Sequence, residues 1–271
     1  MFSILFVLIS HTPLLFLKAI SFIFYISATA LKVSHLKITE KNINHCFGED
    51  KELVRKSFRE TIELSLIFPY VWGKKDNYKK LIDPDYKENI LRENDRPKIF
   101  FTLHMGCVDI IIFALSELLS QIDVLYTPVK NKALEEKLLK IRQRQGGAMF
   151  PATPNGVKNF FKNFIEQNNI LIASDLVPHK KGVYEKFFNK ECFCIDLVEK
   201  LSSKRTHDLH FIYLTKGKKN KYKLVCKKIK NKITTLEMNA LFEEAILTAP
   251  ELYSWEYKKF KKPRTNSANI Y

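Results

Sequence analysis

Apolar and polar residues follow two patterns along the chain, and each pattern predicts one kind of secondary structure. Short apolar runs bounded by polar residues are typical of buried strands, and they occur at residues 97–103, 123–129, 169–175, 207–215 and 221–229. Apolar residues that recur at helical spacing between charged ones predict helices at residues 49–68, 107–120, 131–145, 155–167, 195–204, 235–248 and 250–260. We expect Pro69 to end the first of these helices and Asn155 to cap the fourth.

The order of these elements predicts an α/β fold. Strands alternate with helices from residue 97 onward, which is the arrangement of a layered, largely parallel sheet with flanking helices. Ligands of such sheets bind beyond the carboxyl ends of the strands. His104 and Asp175 both stand where a predicted strand ends, so we expect the functional site at this edge of the sheet.

The N-terminal segment is almost uncharged. Lys18 is the only formally charged side chain among residues 1–31, and it divides them into apolar runs of 17 and 13 residues. A membrane span needs about 20 apolar residues, and Pro13 would kink or break a helix near its middle. The segment therefore predicts one broken span or a membrane-embedded helical hairpin rather than two full spans.

The sequence leaves three interpretations of this segment: a membrane anchor, a signal peptide, or a pair of buried core helices. A signal peptide has a positively charged start, which residues 1–10 lack, although the triplet Ala28-Thr29-Ala30 resembles a cleavage site. We favour a membrane anchor over residues 1–31, followed by one domain over residues 32–271. The positive-inside rule places that domain in the cytoplasm, because the anchor is followed by Lys32, Lys37 and Lys41.

The net charge of the chain limits the classes of molecule that it is expected to bind. The formal net charge of +16 suits nucleic acid, anionic lipid, a phosphorylated ligand or an acidic protein. Residues 216–232 hold nine lysines but only one aromatic residue, Tyr222. Because sequence-independent nucleic-acid binding combines basic residues with aromatic stacking platforms, we expect no nucleic-acid partner. The lysine run is then either a solvated edge or a contact for an acidic protein or a membrane surface.

The cysteines indicate a reducing compartment. There are five, and only Cys192 and Cys194 are close in sequence. No second Cys or His pair stands at the spacing of a zinc site. We therefore expect free thiols, in agreement with a cytoplasmic location, and no metal.

One strand end carries a motif with catalytic chemistry. The stretch FFTLHMGCVD, residues 100–109, ends an apolar run at His104 and has Asp109 five positions later. On one continuous helix the two side chains would stand about 140° apart. A tight turn at Gly106, with Asp109 in the following helical turn, would bring them together. The carboxylate would then keep one imidazole nitrogen protonated, and the other nitrogen could take a proton from a hydroxyl or water.

A base and an orienting acid without a protein nucleophile suit direct attack of a substrate alcohol on an activated acyl group. The simpler interpretation is a turn histidine followed by an acid that the helix dipole favours. The spacing of His104 and Asp109 alone does not decide between the two.

Five stretches together resemble one protein family. HMGCVD resembles the His-x-x-x-x-Asp/Glu motif of the glycerolipid acyltransferase superfamily. The others resemble its bacterial lipid A biosynthesis branch, the lauroyl/myristoyl acyltransferases; they are NINHCFGEDKELVRKSFRETIELS, LYTPVKNKALEEKLLKIRQRQGG, ILIASDLVPHKKGVYEKFFNK and APELYSWEYKKFKKPR. The resemblance spans nearly the whole chain, and the histidine motif and the C-terminal stretch are its most specific parts.

This resemblance implies a glycerolipid acyltransferase-like fold and acyl transfer at the cytoplasmic face of the bacterial inner membrane. It implies an acyl carrier protein thioester as donor, a hydroxyl of a lipid A precursor as acceptor, and no cofactor. It implies a general base at His104 and an orienting acid at Asp109. The further substrate-binding residues that it implies are Arg142, Asp175 and Gly182.

The chain departs from the family pattern in one region. Leu176 replaces the usual glutamine after Asp175, and Asn189 replaces the usual glycine after two phenylalanines. A small, Thr/Ser/Gly-rich stretch of the family appears here as CFCIDLVEK. These changes fall where donor and acceptor are expected to bind. Acylation of another lipid, such as a lysophospholipid or glycolipid, is therefore an alternative, and so is an inactive relative that only binds lipid or carrier protein.

Overall fold

Six strands form the central sheet of the protein. The computed structural model describes residues 8–90, 96–119, 121–229, 232–264 and 269–271. The strands of the sheet are β1 Lys98–Thr102, β2 Asp123–Tyr126, β3 Ala148–Pro151, β4 Ile170–Ala173, β7 Asp208–Lys216 and β8 Tyr222–Ile229. They lie in the order β3-β2-β4-β1-β7-β8. Two more strands, β5 Val183–Phe187 and β6 Lys190–Cys194, pair with each other as a separate antiparallel hairpin.

Helices precede the sheet and connect its strands. Those before the first strand are α1 Leu14–Ala30, α2 Ser34–Phe47, α3 Lys51–Gly73, α4 Asn77–Leu81 and α5 Tyr86–Ile90. Those that follow are α6 Val108–Leu118, α7 Lys132–Gln143, α8 Pro154–Ile165, α9 Leu197–Ser202 and α10 Thr235–Thr248. Short 3-10 turns lie at Lys218–Asn220 and Pro250–Leu252.

β1 is an inner strand of this sheet, and all five of its residues are buried. It runs parallel to β4 on one side and to β7 on the other. Strands covered on both faces read as continuous apolar runs, which explains the sequence KIFFT. Phe101 of β1 stacks on Phe211 of β7 with ring centroids 5.1 Å apart. This packing fixes β1 and, with it, the position of the residues that follow its carboxyl end.

The predicted α/β architecture with a mostly parallel sheet is confirmed. Only β8 is antiparallel to its neighbour among the strands that the structure describes in this sheet. β8 also lies at the edge, and it carries Lys223, Lys227 and Lys228. Lysines on an edge strand oppose pairing with the sheet of another molecule, so part of the lysine run has a structural explanation.

Two helix boundaries were predicted wrongly. Pro69 lies inside α3, which continues to Gly73. A proline removes one helical hydrogen bond, but buried Tyr70 and Val71 pack in the core and hold the last turn. The cap of α8 is Thr153, whose hydroxyl accepts from the backbone of Gly156, and not Asn155. Pro154 then occupies the first helical position, where its missing N–H costs nothing.

Two further segments differ from prediction. Residues 183–194 were not predicted as strands, but they form the β5–β6 hairpin. The pattern hides this hairpin because each of its strands has only five residues and few of them are buried. Residues 250–260 were predicted as a helix, yet only Pro250–Leu252 form a helical turn. The following residues form turns instead, and Tyr253 pairs with Met105 of the turn after β1 in an isolated bridge.

The N-terminal segment packs on α3 and keeps an apolar surface. Lys18 lies 3.5 Å from Glu63 of α3, and Leu17 is buried. Apolar side chains of the same helix are exposed, with Phe16 and Ile23 each 62% accessible. Among the described residues no single helix is long and apolar enough to cross a membrane; α1 and α2 meet that length and composition only together, as a pair bent by 81°. Residues 1–7 of the predicted anchor lie outside the described residues.

Candidate active site

His104 and Asp175 form a hydrogen-bonded pair at the carboxyl edge of the sheet. The imidazole Nδ1 of His104 lies 2.7 Å from Asp175 Oδ1. The backbone N–H of His104 donates to Asp175 Oδ2 at 2.9 Å. The side chain of Asp175 is 2% exposed and that of His104 is 34% exposed. One buried carboxylate thus holds both the backbone and the ring of an accessible histidine, and Nε2 is left as the ring nitrogen for a substrate.

Strand register brings these two residues together. β1 and β4 are parallel, with Thr102 opposite Ala173. His104 and Asp175 each stand two residues beyond that pair, so the two strands deliver them side by side. The backbone N–H of Ser174 donates to Thr102 O at 2.9 Å, which extends the pairing towards the site. The position of both residues at the end of a predicted strand is the sequence signal that could have identified the pair.

The pair shifts the protonation equilibria of both members. Burial by itself disfavours the charged imidazole, but the charge of Asp175 and its hydrogen bond outweigh burial and raise the pKa of His104. Burial also disfavours ionised Asp175, but His104 and the nearby Lys259 outweigh it and lower the pKa of Asp175. Asp175 is therefore an anion at neutral pH, and it stabilises the protonated form of His104.

Lys259 supports Asp175 from the interior. Its side chain is 2% exposed, and its Nζ donates to the backbone carbonyl of Asp175 at 2.6 Å. The same ammonium lies 5.0 Å from the ring centroid of Phe187. The sequence analysis did not single out Lys259, although it stands in the C-terminal stretch that carries the family resemblance. A run of lysines in a sequence predicts solvated side chains. In the folded protein, however, Lys259 is buried.

The predicted contact between Asp109 and His104 is replaced by a contact with Arg142. Asp109 does lie in the first turn of α6, but its carboxylate accepts from Arg142 Nε at 3.2 Å and from Arg142 Nη2 at 3.3 Å. It also accepts from the indole N–H of Trp72. With Asp109 2% exposed and Arg142 19% exposed, this is a largely buried ion pair that joins α6 to α7 and to the end of α3.

The turn after β1 explains this change of partner. Gly106 has a φ of +64°, and its N–H donates to the backbone carbonyl of Leu252 at 2.8 Å. A Cβ at this position would lie 2.8 Å from the ring of Tyr222, so both the backbone conformation and the space require glycine. The turn is tight, as the sequence predicted. It directs Asp109 towards Trp72 of α3 and Arg142 of α7. The acid that contacts His104 is Asp175, which follows β4.

Arg142 and its neighbour Arg144 have different partners. Arg144 donates to the backbone carbonyls of Trp72, Val71 and Lys74 at 2.6, 2.8 and 2.9 Å. These are carbonyls at the end of α3, which lack helical partners. Arg144 therefore secures the helix end, whereas Arg142 lies against the acid of the His-x-x-x-x-Asp motif.

Gly182, the last residue of the predicted set, lies just before β5. A Cβ there would meet Cys194 O at 2.3 Å and a side-chain carbon of Pro178 at 2.6 Å. Glycine is therefore needed here because the backbone before β5 closely approaches the end of β6. This contact accounts for the glycine by packing, and a contact with substrate stays a prediction.

An apolar cavity of about 360 Å³ opens beside His104. It lies between α3, the start of α2, the turn after β1 and the C-terminal segment, and its apolar lining includes Val33, Phe58, Ile62, Leu64, Phe68 and Val108. Ligand sites combine such apolar walls with a few polar groups that fix orientation. The imidazole of His104 lies at the edge of this cavity, where it could take a proton from a hydroxyl. The apolar tail of the molecule that bears this hydroxyl, or the tail of its reaction partner, would occupy the cavity.

Glu256 is the acidic residue of this cavity, and the sequence analysis missed it. Its carboxylate accepts from the hydroxyl of Thr61 at 3.1 Å. Burial raises the pKa of Glu256, and the hydrogen bonds and nearby histidines only partly offset this effect. The bridge between Met105 and Tyr253 and the bond from Ser254 N to His104 O at 3.0 Å place this segment next to the base.

The family of the chain follows from comparison with known proteins. A model of the family described as bacterial lipid A biosynthesis acyltransferase matches residues 2–262. The chain belongs to this family. The resemblance inferred from the five stretches is thereby confirmed, whereas a search among curated proteins gives no match.

The histidine motif of the family lies at the carboxyl edge of the sheet, where the structure has the His104–Asp175 pair. The histidine of the acyltransferase motif is in place, and a buried acid holds its Nδ1. No group of three or more His, Cys, Asp or Glu residues that could hold a metal ion occurs in the described part of the chain. This lipid A acyltransferase family member thus places an imidazole, held by a buried acid, beside an apolar cavity.

Proposed function

We propose that this protein is a membrane-associated O-acyltransferase that moves a fatty acyl chain from an acyl carrier protein thioester to a hydroxyl of a lipid A precursor. The observation that carries the proposal is the pairing of His104 with buried Asp175 beside the apolar cavity. Family membership supports the same reaction class.

In this proposal His104 is the general base. Asp175 accepts from Nδ1–H, so Nε2 carries the free lone pair and takes the proton of the acceptor hydroxyl. The oxygen attacks the thioester carbonyl, and protonated His104 then returns the proton to the leaving thiolate. The anionic partner makes the imidazolium more stable in this step, which is the effect seen in the raised pKa of His104.

Arg142 and Asp109 act beside the base. The oxyanion of the tetrahedral intermediate needs donors aimed at it, and we assign this role to Arg142 or to backbone N–H groups. Asp109 fixes the guanidinium by accepting hydrogen bonds from its Nε and Nη2. Asp109 is therefore a positioning residue in this proposal, and Asp175 takes the orienting role that the motif predicted for Asp109.

The exposed apolar side chains of α1 support a membrane-associated site. Phe16, Ile20 and Ile23 recur at spacings of four and three residues, which places them on one helical face, and they are 62%, 40% and 62% exposed. We propose that this face enters the cytoplasmic leaflet of the bacterial inner membrane, where a lipid acceptor resides. The basic balance of the chain, +16, favours both an anionic membrane surface and an acidic carrier protein.

The test is reconstitution of the reaction with full-length protein in detergent. A lipid A precursor that bears hydroxyacyl chains is mixed with acyl carrier protein thioester, and products are read by mass spectrometry. We expect one acyl chain added to the acceptor, dependent on His104. Transfer only to a lysophospholipid or glycolipid would overturn the acceptor assignment. Binding of donor and acceptor without turnover would overturn the enzymatic assignment in favour of a binding protein.

A further inference from the structure

A second cavity lies against α3, on the face of that helix that points away from His104. Its volume is about 500 Å³, which is in the range of ligand sites. Glu60 and Glu63 of α3 line this cavity, whereas Thr61 and Ile62 line the cavity beside His104. Because charged side chains line it, we call the second cavity the polar cavity.

Tyr222 separates the two cavities. Gly106 of the turn after β1 lines the cavity beside His104, and Tyr222 lines the polar cavity. The ring of Tyr222 packs so closely on this turn that a Cβ at Gly106 would lie 2.8 Å from it. A molecule in the polar cavity is therefore separated from the proposed base, so it is not the molecule on which His104 acts.

The hydroxyl of Tyr222 has no hydrogen-bond partner in the described part of the chain. Tyr222 is 9% exposed, and none of the hydrogen bonds among the described residues involves its hydroxyl. An unmade hydrogen bond of a buried polar group is costly. The hydroxyl therefore indicates a polar ligand in the cavity that Tyr222 lines.

Glu60 is a second group of the polar cavity that lacks a partner. No cation of the described residues lies within ion-pair distance of its carboxylate, because Lys18 lies 3.5 Å from Glu63 and Lys216 pairs with Glu251. Burial and the charges of Glu63 and Glu251 raise the pKa of Glu60 to about 7, and Lys216 and Lys18 offset them only in part. A positive charge supplied by a ligand would stabilise this carboxylate.

Two cations of the polar cavity lack a carboxylate. The guanidinium carbon of Arg59 lies 5.4 Å from the ring centroid of Phe22. Among the residues that the structure describes, no carboxylate lies within ion-pair distance of Arg59 or Lys221, whereas Lys56 pairs with Glu52 at 2.6 Å. The cavity thus offers a guanidinium and an ammonium to an anion, and phosphate oxygens bind both groups.

An apolar helix face lies next to the polar cavity. Lys18 of α1 lines the cavity. Leu15 and Phe22 stand three residues before Lys18 and four residues after it, on the same face of the helix, and they are 77% and 46% exposed. A polar cavity beside exposed apolar side chains matches an amphiphile that has its head in the cavity and its chains along α1.

We propose that the polar cavity binds the headgroup of a membrane phospholipid that carries both a phosphate and a primary ammonium. The phosphate contacts Arg59 and Lys221, and the ammonium donates to Glu60 and to the hydroxyl oxygen of Tyr222. The acyl chains lie along the exposed side chains of α1. This placement of the chains rests on the membrane association proposed above, whereas recognition of the headgroup does not.

The charges of the cavity select against other phosphate compounds. A trimethylammonium headgroup has no N–H to donate to Glu60. A glycerol headgroup donates through hydroxyls but leaves Glu60 without a positive partner. A free phosphate pairs with the two cations alone. Of these groups, a phosphate joined to a primary ammonium gives a partner to both cations and to the carboxylate.

The first test compares three phospholipids that have the same acyl chains. Full-length protein in detergent is titrated with tail-labelled phosphatidylethanolamine, phosphatidylcholine or phosphatidylglycerol, and binding is measured by fluorescence anisotropy. We expect the ethanolamine lipid to bind about 10- to 100-fold more tightly than the other two, the loss expected when a hydrogen bond between charged groups is removed. Equal binding of the three lipids would overturn the proposal.

Competition with unlabelled compounds distinguishes a phospholipid from other ligands. We expect glycerophosphoethanolamine, which has the headgroup without acyl chains, to displace the labelled lipid only at much higher concentration than phosphatidylethanolamine does. Displacement at the same concentration would assign the cavity to a soluble phosphodiester. Displacement by a lipid A precursor at lower concentration than by phosphatidylethanolamine would assign the cavity to the acyl acceptor. Either result would overturn the proposal.

Variants assign the two halves of the headgroup. Glu60→Gln should abolish the preference for the ethanolamine lipid over the choline lipid. Arg59→Gln with Lys221→Gln should weaken binding of both lipids by about tenfold or more. The matched control, Arg55→Gln with Lys223→Gln, neutralises exposed cations four and two residues away that lie outside the lining of the cavity, and it should leave binding unchanged.

An unchanged preference in folded Glu60→Gln protein, or equal effects of the two double variants, would overturn the proposal. Thermal unfolding shows which variants fold. The comparison of the three lipids on the wild type tests the site even where a variant folds poorly. Because the measurement needs no acyl transfer, its outcome is independent of the outcome for the proposed reaction.

Discussion

His104 Nδ1 lies 2.7 Å from Asp175 Oδ1, although the two residues are 71 positions apart in the chain. The contact replaces the shorter-range pair with Asp109 that the motif spacing suggests. It makes Asp175 the partner of the proposed base and Asp109 the partner of Arg142. Variants of Asp175 and of Asp109 should therefore differ in their effects.

Loss of the base should reduce turnover far more than stability. We expect His104→Ala to lower kcat by about 100- to 10,000-fold, the usual contribution of a positioned general base. Asp175→Asn should cause a loss in the same range, because Asn cannot stabilise protonated His104. Initial rates with carrier-bound donor check this, and thermal unfolding shows that the variants fold. Near-normal turnover in a folded His104→Ala protein would disprove the mechanism.

The pH dependence should follow the pKa of His104. A base is active only when neutral, so turnover should fall as the pH drops through a pKa that lies above the ordinary value of about 6.5. Asp175→Asn removes the charge that raises this pKa. The acidic limb of the rate profile should therefore move to lower pH in Asp175→Asn, even though the maximal rate is reduced. Glu256→Gln should move the limb in the same direction by less, and an unmoved limb in both variants would exclude His104 as the titrating group.

Asp109 should matter for stability through Arg142. Asp109→Asn leaves a largely buried guanidinium without its anionic partner, which costs about 3–5 kcal/mol. Thermal or denaturant unfolding checks this value. The matched control is the double variant Asp109→Asn with Arg142→Met, which should lose less stability than the sum of the two single variants. Additive losses would mean that the ion pair does not couple α6 to α7.

The exposed face of α1 should bind lipid. We expect replacement of Phe16, Ile20 and Ile23 with serine to weaken binding to anionic phospholipid vesicles by about 100-fold or more, because each buried side chain contributes about 1.5–3 kcal/mol. Vesicle sedimentation measures this. Serine at Ile165 and Leu247, which are 75% and 62% exposed in other helices, is the control and should leave binding unchanged. Equal losses in both variants would remove the special role of α1.

The lysines of the β7–β8 turn and of the start of β8 should steer an acidic donor. Glutamine at Lys218, Lys219, Lys221 and Lys223 should lower kcat/KM for carrier-bound donor at low salt and matter less at high salt, because exposed charges act over about 8–10 Å at physiological salt. A small thioester donor should be used as before. The matched control neutralises four lysines of α7 and α8, the helices before and after the opposite edge strand β3: Lys132, Lys140, Lys158 and Lys162. An equal loss of kcat/KM with both donors would indicate that these lysines contact the acceptor or the membrane instead. No loss with either donor would mean that they only form a solvated edge of the sheet.

The sequence by itself determined the fold class and the family, and it placed His104, the proposed base, directly after a strand. The run KIFFT, the turn glycine Gly106 and the position of His104 after a strand are local properties, set by burial, backbone freedom and strand periodicity. The pattern also predicted that Asp175 stands at a strand end, without showing which neighbour it meets. Local patterns fail at Pro69 and at residues 250–260 because packing against the rest of the chain, and not helix propensity, decides where these segments end or extend.

The tertiary structure decided which charged groups meet. Parallel pairing of β1 with β4 sets His104 against Asp175, and the turn at Gly106 directs Asp109 to Arg142. The fold likewise turns Lys259 inward to Asp175, and it brings Cys192 and Cys194 into contact on a hairpin that the hydrophobic pattern does not reveal. The physical reason is that an ion pair is chosen by strand register and by the need of every buried charge for a partner, and both depend on residues far apart in the sequence.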